Sequence, residues 1–506
     1  MQLSLFFAPT LEIQHAHLVS EERVYEMPLE YASYQFHIGR PKPAVETLEQ
    51  GGALLWSEMR GLRTSIEQLR NANPDLAVKF TAIGSDLLAV TTSVSMTESG
   101  IREDDAPDHE GMDAFGRIFK RQRKLLEERD TLISQIRELP GFKDFLKTPQ
   151  FDTLRAAASR GPVIIINHCK WHCQVLILLH DSPPSLVPTT DDFYDRVTKL
   201  KDDLLYLRKK HSPGSQEYED ILRSVLRDLS VLIGQPVMDR LRDLDIPEQS
   251  RIWWCPTSSL CSLPLHAMGP IPSDDGVERY FSDIYIPSYT PTLSALIESH
   301  RPDITGPDWP SLLLVGRPND NLPEVWKEIE VIQEVLGGSA HCLVSEDATI
   351  QTVMDGLQHH RFSHFACHGN LVQGKPFDAW FRLEGGDRLT LLDIVRSHLP
   401  NAEFAFLSVC HTAELTDESV ADEALHLAAA MQYCGFRSVV GTMWAVVDKD
   451  GPEIARHFYK SMFSGEGQRP PSYKRSARAL RNAVQKLRRK RGITLERWVN
   501  FVHYGA

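Results

Sequence analysis

The chain has 506 residues, 42% hydrophobic and 24% charged, the balance of a soluble globular protein and too long for one ordinary core. A formal net charge of −13 argues against bulk nucleic-acid binding or membrane-surface attachment as the main task. The longest apolar stretch, 163–166 with 175–179, is broken by histidines and a lysine and is too short to span a bilayer, and eight cysteines without a tight framework fit a reducing compartment.

The opening Met-Gln-Leu-Ser-Leu-Phe-Phe-Ala-Pro lacks a basic stretch and soon reaches His and Glu, so a secretory leader is not expected. The expected location is cytoplasmic, with the nucleus as a second one. Residues 1–150 read as an α-helical region. Within it Val45, Leu48, Gly52, Leu55, Met59 and Leu62 recur at alternating spacings of three and four, an amphipathic stripe. With the preceding Glu-Tyr-Ala-Ser-Tyr-Gln-Phe-His-Ile-Gly-Arg-Pro this stripe resembles one degenerate tetratricopeptide helix pair. One such pair cannot bury its own face, so either it docks on the region that follows or upstream repeats are missing. Residues 100–112 are acidic and turn-rich, which predicts a surface loop, and 115–146 return to helix.

At 161 the period changes. Segments 163–166, 175–179 and 252–255 read as strands, with a helix over 218–232, giving a first α/β part over about 155–300. A second part over 301–506 opens on a strand at 312–315. A helix follows, with Val325, Ile329, Ile332 and Leu336 on one face and Gly337 and Gly338 as its stop. Next come Phe-Ser-His-Phe-Ala-Cys-His-Gly at 362–369 and Phe-Leu-Ser-Val-Cys-His-Thr-Ala at 406–413. Each is an apolar run ending abruptly in reactive residues. A helix with Leu425, Ala428 and Met431 facing inward and a strand at 438–441 complete the order. Strands alternating with helices predict an α/β fold with a mostly parallel sheet flanked by helices. Residues just past the carboxyl ends of such strands line a crevice, which sets His368 beside Cys410. An imidazole within reach of a thiol can take its proton and return it to a leaving amine, so the pair reads as cysteine-nucleophile acyl transfer, most simply peptide-bond hydrolysis.

These two segments are joined by Leu-Pro-Leu-His-Ala (263–267), Ser-Tyr-Thr-Pro-Thr-Leu (288–293), Gly-Phe-Arg-Ser-Val-Val-Gly-Thr-Met-Trp (435–444) and Trp-Val-Asn-Phe-Val-His-Tyr-Gly (498–505). In order and spacing they resemble the CHAT family as it occurs in fungal proteins, caspase-like domains related to separase and often found beside tetratricopeptide repeats. The resemblance covers roughly 155–506. It implies a caspase-like sheet, His368 as general base, Cys410 as nucleophile, the backbone N–H groups of Gly369 and Cys410 as oxyanion hole, and no metal or organic cofactor. A protein substrate is the expected partner, with a regulatory protein bound through the N-terminal helices. A catalytically weak scaffold of the same fold is the alternative, and an active-site acyl trap separates the two.

Other residues compete for these roles. His364 is mid-strand, where a satisfied core histidine is expected, and His411 follows the nucleophile directly, so the two should diverge on an extended backbone. Cys367 belongs to the opposite strand face. The acidic run Glu414, Asp417, Glu418, Asp422 and Glu423 reads either as a pocket for a basic substrate side chain or as a solvated loop with a helix cap at Asp422. His168, Cys169, His172 and Cys173 cluster, but without the spacing of a zinc site. Residues 474–491 hold many Lys and Arg and no acid. With Leu480, Val484 and Leu487 on one side they predict an amphipathic helix with a basic face, or a nucleic-acid or nuclear-localisation patch.

Overall fold

The computed structural model describes residues 22–52, 69–70, 72–93, 109–143, 145, 149–271, 276–301, 311–318, 323–370, 379–397, 399, 401–411, 427–444, 447–463 and 472–506. They belong to two compact units, one holding 1–28 with 53–150 and the other 29–52 with 151–506. No helix among the described residues is long and apolar enough to cross a membrane.

Helix α1 (Glu22–His37) bridges the two stretches of sequence, and α2 (Pro41–Gly51) belongs wholly to the second unit. The first unit is a hairpin of α3 (Pro74–Ser93) and α4 (His109–Arg137), closed by Leu69, Ala77, Phe80, Leu132, Ile133 and Ile136. Residues 109–112, expected in the acidic loop, are already helical, because α4 continues its period back through them.

In the second unit thirteen strands among the described residues form one mixed sheet. They are β1 (Val163–Asn167), β2 (Gln174–Leu178), β3 (Ser185–Val187), β4 (Arg251–Pro256), β5 (Ile286–Tyr289), β6 (Leu312–Gly316), β7 (His341–Val344), β8 (Phe362–Asn370), β9 (Trp380–Arg382), β10 (Arg388–Thr390), β11 (Phe404–His411), β12 (Ser438–Thr442) and β13 (Phe501–Gly505). The order runs β7-β6-β8-β11-β12-β13-β5-β4-β1-β2-β3, and β9 with β10 continues from the far end of β8. Pairing is parallel among β7, β6, β8, β11 and β12, and among β13, β5, β4 and β1. Both halves predicted from the sequence therefore share one sheet, joined where Tyr504 of β13 meets Tyr289 of β5.

The first half carries α5 (Phe193–Lys210), α6 (Gln216–Leu229), α7 (Gln235–Asp243) and α8 (Leu293–Ser299). The second carries α9 (Val325–Leu336), α10 (Ile350–His359), α11 (Leu391–Arg396), α12 (Leu427–Tyr433), α13 (Gly451–Phe463) and α14 (Ser476–Arg488). Gly337, the predicted stop of α9, is its C-cap at φ 62°, the left-handed geometry a glycine adopts without strain.

The apolar stripe at the N-terminus does find cover. Leu29, Ala32, Phe36, Ala44, Val45 and Leu48 join Phe151, Leu154, Val163, Ile165, Leu176, Leu293 and Leu296 in one buried cluster. Glu49 of α2 accepts from the N–H groups of Leu293 (2.8 Å) and Ser294 (3.0 Å), placing a carboxylate at the positive end of α8. Leu55, Met59 and Leu62 lie outside the described residues.

Four of the separated motifs meet at the centre of the sheet. Nε2 of His266 donates to the Val499 carbonyl (2.7 Å), which leaves Nδ1 to accept from the Tyr289 hydroxyl (2.9 Å). His503 lies between Ser288 on Nδ1 (2.8 Å) and Ser438 and Ser476 on Nε2 (2.8 and 2.7 Å). Burial lowers His266 to about 4 and His503 well below the usual imidazole range, so both are neutral and fix the two halves together. The basic helix is α14. It buries Ala479, Leu480, Ala483, Val484 and Leu487, while Arg481 donates to the Ser282 and Asp283 carbonyls and Arg488 pairs with Asp283 at 2.7 Å.

Candidate active site

Strands β8 and β11 run parallel in strict register from Phe362 beside Phe404 to Gly369 beside His411, and Cys410 is the register partner of His368. Partners in such a ladder occupy one face of the sheet, and alternate positions share that face. His364, Ala366 and His368 on β8 thus lie level with Phe406, Ser408 and Cys410 on β11. Cys367, partnered with Val409, is fully buried on the opposite face. His411 has the opposite parity from Cys410.

The face that holds His368 is covered by α9 and α13. Gly316, the last residue of β6, lets α9 come close, since a Cβ there would collide with Ile329. His364 is buried with its ring stacked on Phe406 (4.9 Å) and Nδ1 accepting from the Tyr459 hydroxyl of α13 at 3.0 Å. Its Nε2 is 3.2 Å from Oε1 of the buried Glu328 on α9, at an angle that makes no hydrogen bond. The other oxygen of Glu328 accepts from Ser408 Oγ at 3.0 Å. Gly451 opens the same spot, because a Cβ there would stand 2.6 Å from Glu328 Oε2. A column of polar side chains, His364 and Glu328 buried and Ser408 partly so, therefore rises along this face and ends one alternate position below His368 and Cys410.

Three groups that sequence reasoning did not single out surround His368. Arg317 directly follows β6, and its N–H donates to the Ala366 carbonyl at 3.0 Å. The antiparallel β8–β9 ladder pairs Gly369 with Phe381 and Asn370 with Trp380, so its next position sets Arg382 level with His368 on the side away from Cys410. Phe381 confirms the parity by stacking on Phe365 of the other face at 4.6 Å. Asp448, beyond β12, accepts from the Glu324 N–H at 3.0 Å. The neighbouring Asp450 forms a buried two-pronged pair with Arg497, which fixes this turn.

These charges tune the imidazole. Half-burial lowers His368 most, the Arg382 and Arg317 guanidinium groups lower it further, and the Asp448 carboxylate opposes them. Asp448 is itself raised, chiefly by its own burial. His368 is therefore held in the neutral form, the one able to accept a proton. Of the three only Arg317, directly after β6, had a signal in the sequence; Arg382 ends a strand too short to read, and Asp448 lies well beyond the end of β12.

Glu414, Asp417, Glu418, Asp422 and Glu423 lie outside the described residues. The His168–Cys173 turn is packed locally. Nε2 of His168 donates to the Tyr194 carbonyl at 3.2 Å, and Cys173 Sγ donates to the Cys169 carbonyl at 3.3 Å. Among the described residues no three His, Cys, Asp or Glu side chains gather as a metal cage.

The family profile of the CHAT domain matches residues 223–506. The chain belongs to the CHAT domain family. The matched span takes in β8, β11 and every group placed around His368. Among solved structures, separase of Saccharomyces cerevisiae in complex with securin is similar at 13% identity and a TM-score of 0.41 over 98% of this chain. This CHAT protein spans 40% of that separase chain. The Arg-specific cysteine proteinase gingipain R is similar at 11% identity and a TM-score of 0.34, over 62% of this chain and 74% of its own. A search of curated proteins finds no significant match.

Proposed function

We propose that this CHAT protein is a cysteine endopeptidase acting on protein substrates through a His368–Cys410 dyad. The observation that carries the reading is the β8–β11 register, which places these two residues opposite each other at the carboxyl ends of adjacent parallel strands, with His368 held neutral. In the first half-reaction the Cys410 sulfur attacks the scissile carbonyl and His368 takes the thiol proton. The tetrahedral oxyanion is met by the N–H groups of Gly369 and Cys410. Its collapse breaks the C–N bond, and His368 gives the proton to the leaving amine. Water then attacks the thioester, His368 accepts its proton, and the thiol is restored as the carboxylic acid departs. N-terminal proteomics on cells expressing wild type or Cys410→Ala tests the reading. New protein N-termini should appear only with wild type, and identical sets would leave a scaffold.

The pH dependence carries a signed expectation. The general base must be neutral, and a lowered His368 stays neutral to lower pH, so the acid limb of kcat/KM should fall below the ordinary 6.5 of a histidine. Arg382→Gln removes a cation that lowers His368 and should move that limb up. Asp448→Asn removes the opposing carboxylate and should move it down. Limbs that move together, or not at all, would separate His368 from the titration.

A further inference from the structure

Arg317 and Arg382 lie on the same side of His368, away from Cys410. Arg317 is mostly buried, its side chain 19% exposed, and its Nε is a buried donor with no hydrogen-bond partner. Glu384 Oε2 stands 3.9 Å from that Nε, close enough for an ion pair but too far to accept a hydrogen bond. A buried donor left unmade costs free energy that a ligand oxygen would recover. Arg382 is exposed at the end of β9, and its neighbour across the β9–β10 ladder is a third arginine, Arg388, which is turned onto the Trp380 ring at 4.7 Å. Among the described residues whose charge acts on His368, two are guanidinium groups and one, Asp448, is a carboxylate.

We infer that Arg317 and Arg382 form a carboxylate-binding subsite beside His368, so that the residue supplying the scissile carbonyl is Asp or Glu. This rests on the peptidase reading above. A guanidinium presents paired N–H donors in the geometry of a carboxylate, and the pair of cations can grip one acidic side chain from two directions. The subsite adjoins His368 in the sheet, within reach of a side chain on the carbon next to the attacked carbonyl. It predicts the opposite charge preference from the one that the acidic run at 414–423 suggests.

The test uses full-length protein and four peptidyl acyloxymethyl ketones that differ only in the residue next to the ketone: Asp, Glu, Leu or Arg. The attacking sulfur displaces the acyloxy group as a carboxylate and leaves a thioether, read by mass spectrometry on Cys410. An acidic probe should label wild type at least tenfold faster than the Leu or Arg probe. Arg317→Gln and Arg382→Gln should each lower the Asp-to-Leu rate ratio at least fivefold. Because Arg317 is partly buried, the exposed Arg382→Gln decides the point if the first variant does not fold. Labelling led by Arg or Leu, or a ratio unchanged in Arg382→Gln, overturns the acidic subsite and leaves the peptidase standing. Labelling of Cys410 by none of the four overturns both.

Discussion

Cys410→Ala and His368→Ala should each abolish cleavage of the substrates found by N-terminal proteomics, and the double variant should be no worse than either single one. Dyad members act as a unit: without the thiol the imidazole has no proton to take, and without the imidazole the thiol is a weak nucleophile. Losses on the order of 10⁴-fold or more, shared and not summed, are the expected outcome. The backbone should tolerate both changes, since β8 and β11 are held by eight register pairs and by apolar side chains on both faces. A Cys410→Ala protein with wild-type circular dichroism that still cleaves those substrates would sink the assignment. Two single losses that multiply in the double variant would instead show that His368 and Cys410 act separately.

Much of this was legible before the fold was seen, for an identifiable reason. Strands β1, β2, β4, β6, β8, β11 and β12 are short apolar runs buried on both faces, and such runs announce themselves without any partner. The strands that escaped are different. β3, β9 and β10 are three residues each, shorter than any period can reveal, and β7 is exposed at the sheet edge. β13, Phe-Val-His-Tyr-Gly, reads as a motif and not as a strand, because its central histidine is satisfied only by Ser288, Ser438 and Ser476, far away in sequence. The same holds at the site. His368 and Cys410 carry chemistry in their own residue types, whereas Arg317, Arg382 and Asp448 gain meaning only from the register that gathers them. The family motifs also divide by role in a way residue types cannot show. His266, Tyr289 and His503 are buried and link the two halves of the sheet through hydrogen bonds, while His368 and Cys410 lie at the ends of β8 and β11.

Glu328→Ala should be the most damaging change outside the dyad. Its carboxylate is buried between α9, α13 and the sheet, beside His364 Nε2 at 3.2 Å and accepting from Ser408 Oγ at 3.0 Å. Removing it leaves the partly buried Ser408 hydroxyl without its acceptor and the His364 ring without the carboxylate beside it, and opens a cavity against Gly451. Such a loss costs about 3 kcal/mol or more. His364→Ala empties the other end of the contact and also strands the Tyr459 hydroxyl, so it too should be costly. The two changes share one network and should not add: a coupling of roughly 1–2 kcal/mol is expected between them in a double-mutant cycle on urea midpoints. Ser408 stands two residues before Cys410 on the same strand face, so loosening it also frees the end of β11, and kcat/KM should fall in variants that remain folded. Glu328→Gln keeps an acceptor for Ser408 and should recover part of both losses. Strict additivity of Glu328→Ala and His364→Ala, or wild-type stability in Glu328→Ala, would show that the column merely fills space beneath the site.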